Sequence, residues 1–327
     1  LGVRHLEHTV AQVRLDNAGH VEALQTEDGT IIAGDFFVDC SGFRGAIIQE
    51  AMNEPFLPFA DNLFNDSAIA MPSNTGEGDI PSETRATALS TGWAWRIPLT
   101  NRVGNGYVYS SRYIDKDAAE TELRAHLGLL DSDVAARRLK MNVGRVQRSW
   151  VKNCLAVGLS QGFIEPLEAT ALHIVQATVE GFIHAFEKGG ETDAGSADFN
   201  DRLNTRYDGI RDYIVAHYRM NQRTDTPYWR DNAKTGNLSD NLKAIMTAWY
   251  SGGDLTEVIQ NLNIAHFYSS LSWHCLLAGY GTFPADEKLV ASTDGLPLAD
   301  MAQIDSFISG CLRNFPSHRA ALANLSL

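Results

Sequence analysis

The stretch from Trp150 to Phe186 constrains the fold of this chain more than any other. Trp150 to Val157 reads as an apolar strand, and the glycine-bounded loop Gly158-Leu159-Ser160-Gln161-Gly162 follows it. Pro166 suits the first position of a helix, where its missing N–H is not needed. Beyond it Leu172, Val175, Val179, Phe182, Ile183 and Phe186 recur at helical spacing and form one apolar face. A strand, a glycine loop and a helix N-terminus in succession make an anion site, because unpaired N–H groups and the positive end of the helix dipole point at one place. Ala169 and Ala171 are small enough for a flat ligand or a small anion to reach the backbone. A phosphate, a flavin carbonyl or a halide would each suit. Glu165 and Glu168 also have an ordinary reading there, since acids in a first helical turn complement the dipole.

The rest of the chain divides into an α/β part and a mostly helical part. Residues 8 to 40 predict β structure, with turns at Asp16-Asn17-Ala18-Gly19 and Glu27-Asp28-Gly29. Phe36, Phe37 and Val38 form a short apolar run, as in a strand buried on both faces, and it ends in Asp39-Cys40-Ser41-Gly42. Ala86 to Leu89, Gly92 to Leu99 and Gly106 to Ser110 predict further strands. Asp117 to Leu129 and Asp131 to Lys140 predict helices. From about Asp198 the periodicity is helical: Leu203, Tyr207, Ile210, Ile214 and His217/Tyr218 recur on one helix. Leu242 to Tyr250, Leu255 to Leu262 and Ile304 to Phe315 give three more. The expected domains are 1–190, a sheet and ligand-binding part, and 191–327, a mostly helical cover.

The formal net charge of −13 and the absence of a basic stripe argue against nucleic acid as a partner. No apolar run is long enough to span a bilayer. Cys40, Cys154, Cys275 and Cys311 form no CxxC pair, which suits a reducing, cytoplasmic setting and gives no metal-site spacing. The ten histidines include no HxxxH pair, so no metal is expected. Gly158-Leu159-Ser160-Gln161-Gly162 matches GxSxG after a strand. The residues Gly162 to Glu165 separate it from Pro166, however, and no oxyanion stretch precedes it, so a serine hydrolase is set aside.

Three motifs in order resemble the flavin-dependent tryptophan halogenase family: Asp39-Cys40-Ser41-Gly42-Phe43-Arg44-Gly45, Trp93-Ala94-Trp95-Arg96-Ile97-Pro98 (the WxWxIP signature) and Gly162-Phe163-Ile164-Glu165-Pro166-Leu167-Glu168-Ala169-Thr170. Asp225-Thr226-Pro227-Tyr228-Trp229 and Trp273-His274-Cys275-Leu276-Leu277-Ala278-Gly279 support them. The resemblance implies a Rossmann-like, hydroxylase-type FAD-binding fold. It implies use of FADH2, O2 and chloride or bromide to make a hypohalous acid, which crosses a short tunnel to an electron-rich aromatic ring. A separate flavin reductase would supply FADH2, and a homodimer is plausible. On this reading Glu168 is the catalytic glutamate. Thr170 and Ala171 contact halide through backbone N–H groups. Ser160, Gly162, Leu172, Gly42 and Val10 line the flavin, with Val10 at the adenine end. Trp93 and Trp95 form a wall between flavin and substrate, and Tyr228 and Trp229 flank the substrate.

The sequence departs from the family pattern at several points. Ala171 stands where many relatives have glycine. In relatives acting on free tryptophan two tyrosines and a glutamate hold the amino acid's polar end; the matching positions here are Trp273, His274 and Tyr280. Loss of the glutamate leaves a substrate ammonium without a partner, so an indole-like or larger aromatic is expected in place of free tryptophan. No GxGxxG fingerprint is present; Gly104-Asn105-Gly106 lacks the third glycine and is expected in a hairpin. The first lysine is Lys116, beyond the WxWxIP motif, so none matches the family's catalytic lysine. The chain therefore reads as an N-terminally truncated C-terminal portion of such an enzyme. Alone it is expected to be inactive and poorly soluble, because a truncated first domain exposes sheet edge and apolar surface. A related flavin monooxygenase and a non-catalytic aromatic-binding chain are the competing readings.

Overall fold

The computed structural model describes residues 2–76, 78–288 and 301–325. An antiparallel meander opens the chain: β1 (Val10–Leu15), β2 (Val21–Thr26) and β3 (Ile31–Ala33). The first turn closes as expected, with Asp16 Oδ1 accepting from the His20 N–H at 2.8 Å. β4 (Phe37–Asp39) ends in the buried Asp39, whose carboxylate accepts from the backbone N–H groups of Ser41, Ile47 and Ile48. One residue thus holds the turn Gly42–Arg44 and the helical turns Ala46–Ala51 against the strand end.

After β5 (Phe56–Pro58) comes the main sheet, built from β6 (Ser67–Ser73), β7 (Arg85–Leu89), β8 (Gly92–Pro98) and β9 (Val103–Tyr109). With β10 (Arg137–Lys140) it forms five antiparallel strands in the order β10-β6-β9-β8-β7. Its strands alternate between two apolar layers. Ala68, Trp93 and Val108 face the large core shared with the helices. Ile69, Met71, Ala94, Tyr107 and Tyr109 face α1 (Lys116–Leu127), which covers them with Ala119 and Leu123. Helix α1 is capped by Asp115, which accepts from Asp117 and Ala118, and ends at Gly128 with φ 69°.

One sequence expectation fails here. Residues 131–140 are not a helix: Arg137–Lys140 extends along β6 and completes the sheet edge. Its charged side chains solvate an edge strand as readily as a helix face. Gly104 and Gly106 lie in the second strand of the β8–β9 hairpin, as expected. The Trp95 ring lies over Gly106, and a Cβ there would sit 2.0 Å from the indole, so glycine is required by the tryptophan of the facing strand.

β11 (Gly144–Val146) pairs with β5 and with β14 (Gly162–Phe163). Trp150 to Val157 is a tight hairpin instead of one strand: β12 (Trp150–Val151) turns at Lys152, φ 52°, into β13 (Cys154–Ala156). β13 lies parallel to β4. Trp150 Nε1 donates to Lys152 O at 2.8 Å, which holds the turn.

The helices are α2 (Ala171–Lys188), α3 (Ser196–Arg219), α4 (Pro227–Lys234), α5 (Asp240–Ser251), α6 (Leu255–Asn261), α7 (Ser270–Gly279), α8 (Met301–Asn314) and α9 (His318–Ala323). Leu203, Tyr207, Ile210, Ile214 and Tyr218 form the buried stripe of α3. One continuous apolar core joins Trp93, Trp150 and Ile174 to Tyr207, Tyr228 and Trp273, so it crosses the expected boundary at 190/191. Each such large side chain contributes about 1.5–3 kcal/mol by leaving water.

Candidate active site

The site grows from the short segment between β14 and α2. Pro166 begins a 3₁₀ turn, Pro166–Glu168, and Ala169 then adopts φ 54°. The long helix starts only at Ala171, with Ile174 N donating to Thr170 O as its first bond. The helix start expected at Pro166 is therefore too early. A proline-initiated turn is common to both structures, and nothing local marks the reversal at Ala169. The reversal separates the turn from α2, and within the turn Glu165 is the extended N-cap (ψ 146°), so the two glutamates do not share the long helix.

Glu165 is fully buried. Its Oε2 accepts from Asn65 Nδ2 at 2.8 Å, from Trp93 Nε1 at 3.0 Å and from the Tyr218 hydroxyl at 2.6 Å. Tyr228 donates to Asn65 Oδ1 at 2.9 Å, which orients the amide. Burial pushes the Glu165 pKa above the usual carboxylate range, against the pull of these three hydrogen bonds. Burial and the nearby carboxyl also hold Tyr218 and Tyr228 as phenols. The network ties the WxWxIP motif directly to the GFIEPLEAT motif.

Glu168 keeps a third of its side chain exposed, and its Oε1 lies 2.8 Å from His217 Nε2. His217 Nδ1 lies 3.1 Å from the Tyr280 hydroxyl. Tyr213, Tyr268 and Tyr280 surround the carboxylate, and burial together with its charge raises all three phenol pKa values, Tyr280 to about 12. A cleft of about 170 Å³ beside it is lined by Glu168, Thr170, His173, Arg206, Phe267 and Tyr268, among others. Two buried hydroxyls at this cleft, those of Thr170 and Tyr268, have no protein partner.

Trp93 is buried, and Trp95 lies on the same face with ring centroids 6.2 Å apart. Tyr228 and Trp229 are buried in the core, and Trp229 Nε1 donates to Leu89 O at 2.7 Å. Trp273 is buried edge-on to Tyr213, with an unpartnered Nε1. His274 lies farther along α7, with Nδ1 at 2.7 Å from Ser270 O. Ser160 is fully buried, and its hydroxyl donates to the backbone carbonyls of Asp39 and Val157, which leaves no nucleophile there. Gly42 has φ 77°, and its turn packs against Gly158–Ser160. Gly162 allows β14 to approach β11, since a Cβ would sit 2.6 Å from Gly144 O. Val10 opens β1 opposite Thr26. Leu172 is 82% exposed on the first turn of α2.

A flat, partly apolar and partly anionic group fits the α2 end. The first-turn N–H groups have no helical acceptor, Thr170 Oγ1 is buried without a partner, and Leu172 offers bare apolar surface beside them. Among the described residues no group of three His, Cys, Asp or Glu side chains could hold a metal ion, and no helix is long and apolar enough to cross a membrane.

Sequence reasoning missed Asn65 and gave Tyr218 and His217 only as helix periodicity. Asn65 sits in no periodic run, and its partners lie 100 and 153 residues away, so no local signal marks it.

This arrangement is the fold of the flavin-dependent halogenases. Tar14, a tryptophan C-6 flavin-dependent halogenase from taromycin biosynthesis, superposes with a TM-score of 0.87 at 34% identity, over 98% of this chain and 64% of that one. BrvH, a flavin-dependent halogenase from Brevundimonas sp. BAL3, superposes with a TM-score of 0.86 at 33% identity, over 100% of this chain and 66% of that one. The chain belongs to the tryptophan halogenase family, whose model matches residues 1–294. It is 37% identical over 328 residues to the 7-chloro-L-tryptophan 6-halogenase KtzR of Kutzneria sp. (strain 744), covering 99% of this chain and 63% of the relative. The chain thus spans less than two thirds of that relative's length.

Proposed function

We propose that this chain forms the substrate-facing part of a flavin-dependent halogenase acting on an electron-rich, indole-like aromatic. The observation that carries the reading is the bond from Trp93 to Glu165, which locks two family motifs into one site beside the exposed Glu168. The first-turn N–H groups of α2 with Thr170 and Ala171 would hold chloride or bromide. Ser160, Gly162, Leu172, Gly42 and Val10 would lie along FAD. When bound, reduced FAD would supply the electrons that activate O2, and the activated oxygen would be the oxidant of halide. Glu168 would orient the oxidised halogen at the ring and stabilise the cationic ring that forms on attack, as an oriented charge does best in a partly desolvated site. Trp93 and Trp95 would keep water and flavin from the ring. A separate flavin reductase in the same cytoplasm would be the electron source.

Substrate preference follows from position 280. A phenol bonded to His217 offers no charge to an ammonium, so free tryptophan is a poor substrate on this reading. The test supplies the intact gene product with a flavin reductase, NADH, FAD and bromide, and weighs the products from indole and from L-tryptophan. A product heavier by one bromine, formed from indole faster than from tryptophan, is the expected result. Hydroxylated product, or faster turnover of tryptophan, sinks the reading.

A further inference from the structure

We propose that His217 and Tyr280 form a relay that positions the Glu168 carboxylate, so that Glu168 meets its substrate through one fixed oxygen. The inference rests on the reading of Glu168 as the residue at the reacting ring. It also gives Tyr280 a role of its own, since the tyrosine is wired to the glutamate and not turned to the substrate.

The relay gives each of the three groups a direction. A carboxylate only accepts, so the 2.8 Å ion-pair contact at Glu168 Oε1 favours a proton on His217 Nε2, although the ring N–H does not point along the line to that oxygen in this structure. A neutral imidazole with its proton on Nε2 accepts at Nδ1. The proposed relay takes the imidazole as neutral, in which case Tyr280, 3.1 Å away, donates its hydroxyl proton to Nδ1. Burial and the charge of Glu168 raise the Tyr280 pKa to about 12, so the phenol keeps that proton throughout the working range. Nδ1 is thereby bonded, while Nε2 touches Glu168 Oε1 off the hydrogen-bond line and has no other partner.

Packing holds the ring in place. His217 sits in the last turn of α3, edge-on to Tyr213 at 5.4 Å and to Tyr280 at 5.8 Å between ring centroids. The ionisable groups facing it are Glu168 and Glu165 from the turn before α2, Tyr213 from its own helix and Tyr280 from the end of α7. Among the described residues no other hydrogen bond reaches the Glu168 carboxylate, so Oε2 stays available to the cleft lined by Thr170, Phe267 and Tyr268. A glutamate on the surface samples many rotamers; one tied at Oε1 has lost most of that freedom before substrate arrives. His217 is therefore a positioning residue, and Tyr280 positions it in turn.

Long-range ¹H–¹⁵N spectra of the intact gene product labelled at histidine test the wire without any turnover. The wild type should show His217 with its proton on Nε2, exchanging slowly with water. Glu168→Ala should speed that exchange at least tenfold, and Tyr280→Phe should move the Nδ1 resonance toward that of an unbonded imidazole nitrogen. A proton on Nδ1 in the wild type, or exchange unmoved by Glu168→Ala, overturns the relay. In the intact enzyme with its reductase, His217→Ala should lower kcat at least tenfold with KM little changed. His217→Gln, whose amide can still donate to Glu168, should recover a large part of that loss. A rise in KM alone, or no recovery with glutamine, overturns the positioning role. If the wild-type enzyme halogenates nothing, the functional reading falls, and the spectra still decide whether the wire exists.

Discussion

Glu165 and Glu168 leave one short turn three positions apart and reach different surroundings. Glu165 has no solvent exposure, and three donors converge on one of its oxygens. Glu168 keeps a third of its side chain in the open and has one partner, His217. The divider is the turn between them: Glu165 precedes it with extended backbone (ψ 146°) and faces the sheet, while Glu168 ends it and faces the cleft. Family motifs written as EPLE suggest a matched pair of acids. The structure separates them into a buried fastener and a cleft-facing group.

The largest test of that contrast is a pair of truncations. Glu165→Ala leaves Trp93 and Tyr218 without an acceptor in the core, and Asn65 with only the Tyr218 hydroxyl, and should cost about 3–5 kcal/mol of stability. Glu168→Ala, partly exposed, should change stability by no more than about 1 kcal/mol. Urea unfolding of both variants reads the difference; equal losses would erase the distinction.

Dependence on pH sharpens it. Burial raises the Glu165 pKa above its ordinary value of 4.5, so the folded state holds the proton after the unfolded chain has released it. The carboxyl therefore costs nothing below about pH 4.5, and costs progressively more as pH climbs from there through the folded-state pKa. Relative to the wild type, Glu165→Gln should grow more stable as pH rises from about 4 toward 8. A flat difference across that range would show that Glu165 ionises as easily folded as unfolded.

Smaller effects test the outer ring of each acid. Tyr228→Phe removes one hydrogen bond to Asn65 and should cost about 1 kcal/mol, measured by thermal melting. Tyr280→Phe, which loosens only the ring behind Glu168, should move stability by less than about 0.5 kcal/mol. Reversal of that order would place the more tightly built site around Glu168.

Much of the scaffold was legible in the sequence because its signals are local. The turn at Asp16–Gly19, the alternation of Gly92–Pro98 and the stripe of α3 each depend on neighbours a few residues apart. Residues 131–140 misled because Arg137–Lys140 draws its structure from β6, which lies far earlier in the chain. Trp150–Val157 misled because a hairpin with a two-residue turn leaves the apolar pattern of one strand intact. Within the site, Glu168 stood out through the family motif, whereas Asn65, His217 and Tyr218 carry no motif. Their meaning lies in who stands opposite, which only tertiary structure decides.

The Glu165 node also bears on the order in which the molecule can be assembled. Its hydrogen bonds close separations of 100 residues to Asn65, 72 to Trp93 and 53 to Tyr218. Closing spans of that length is entropically slow, and here the sheet and α3 must both exist before the carboxyl has anything to bind. The turn carrying both glutamates should therefore take its final shape late in folding, after most helix and sheet have formed. Refolding followed at the backbone and at Trp93 would then run on two clocks, with the indole reporting last.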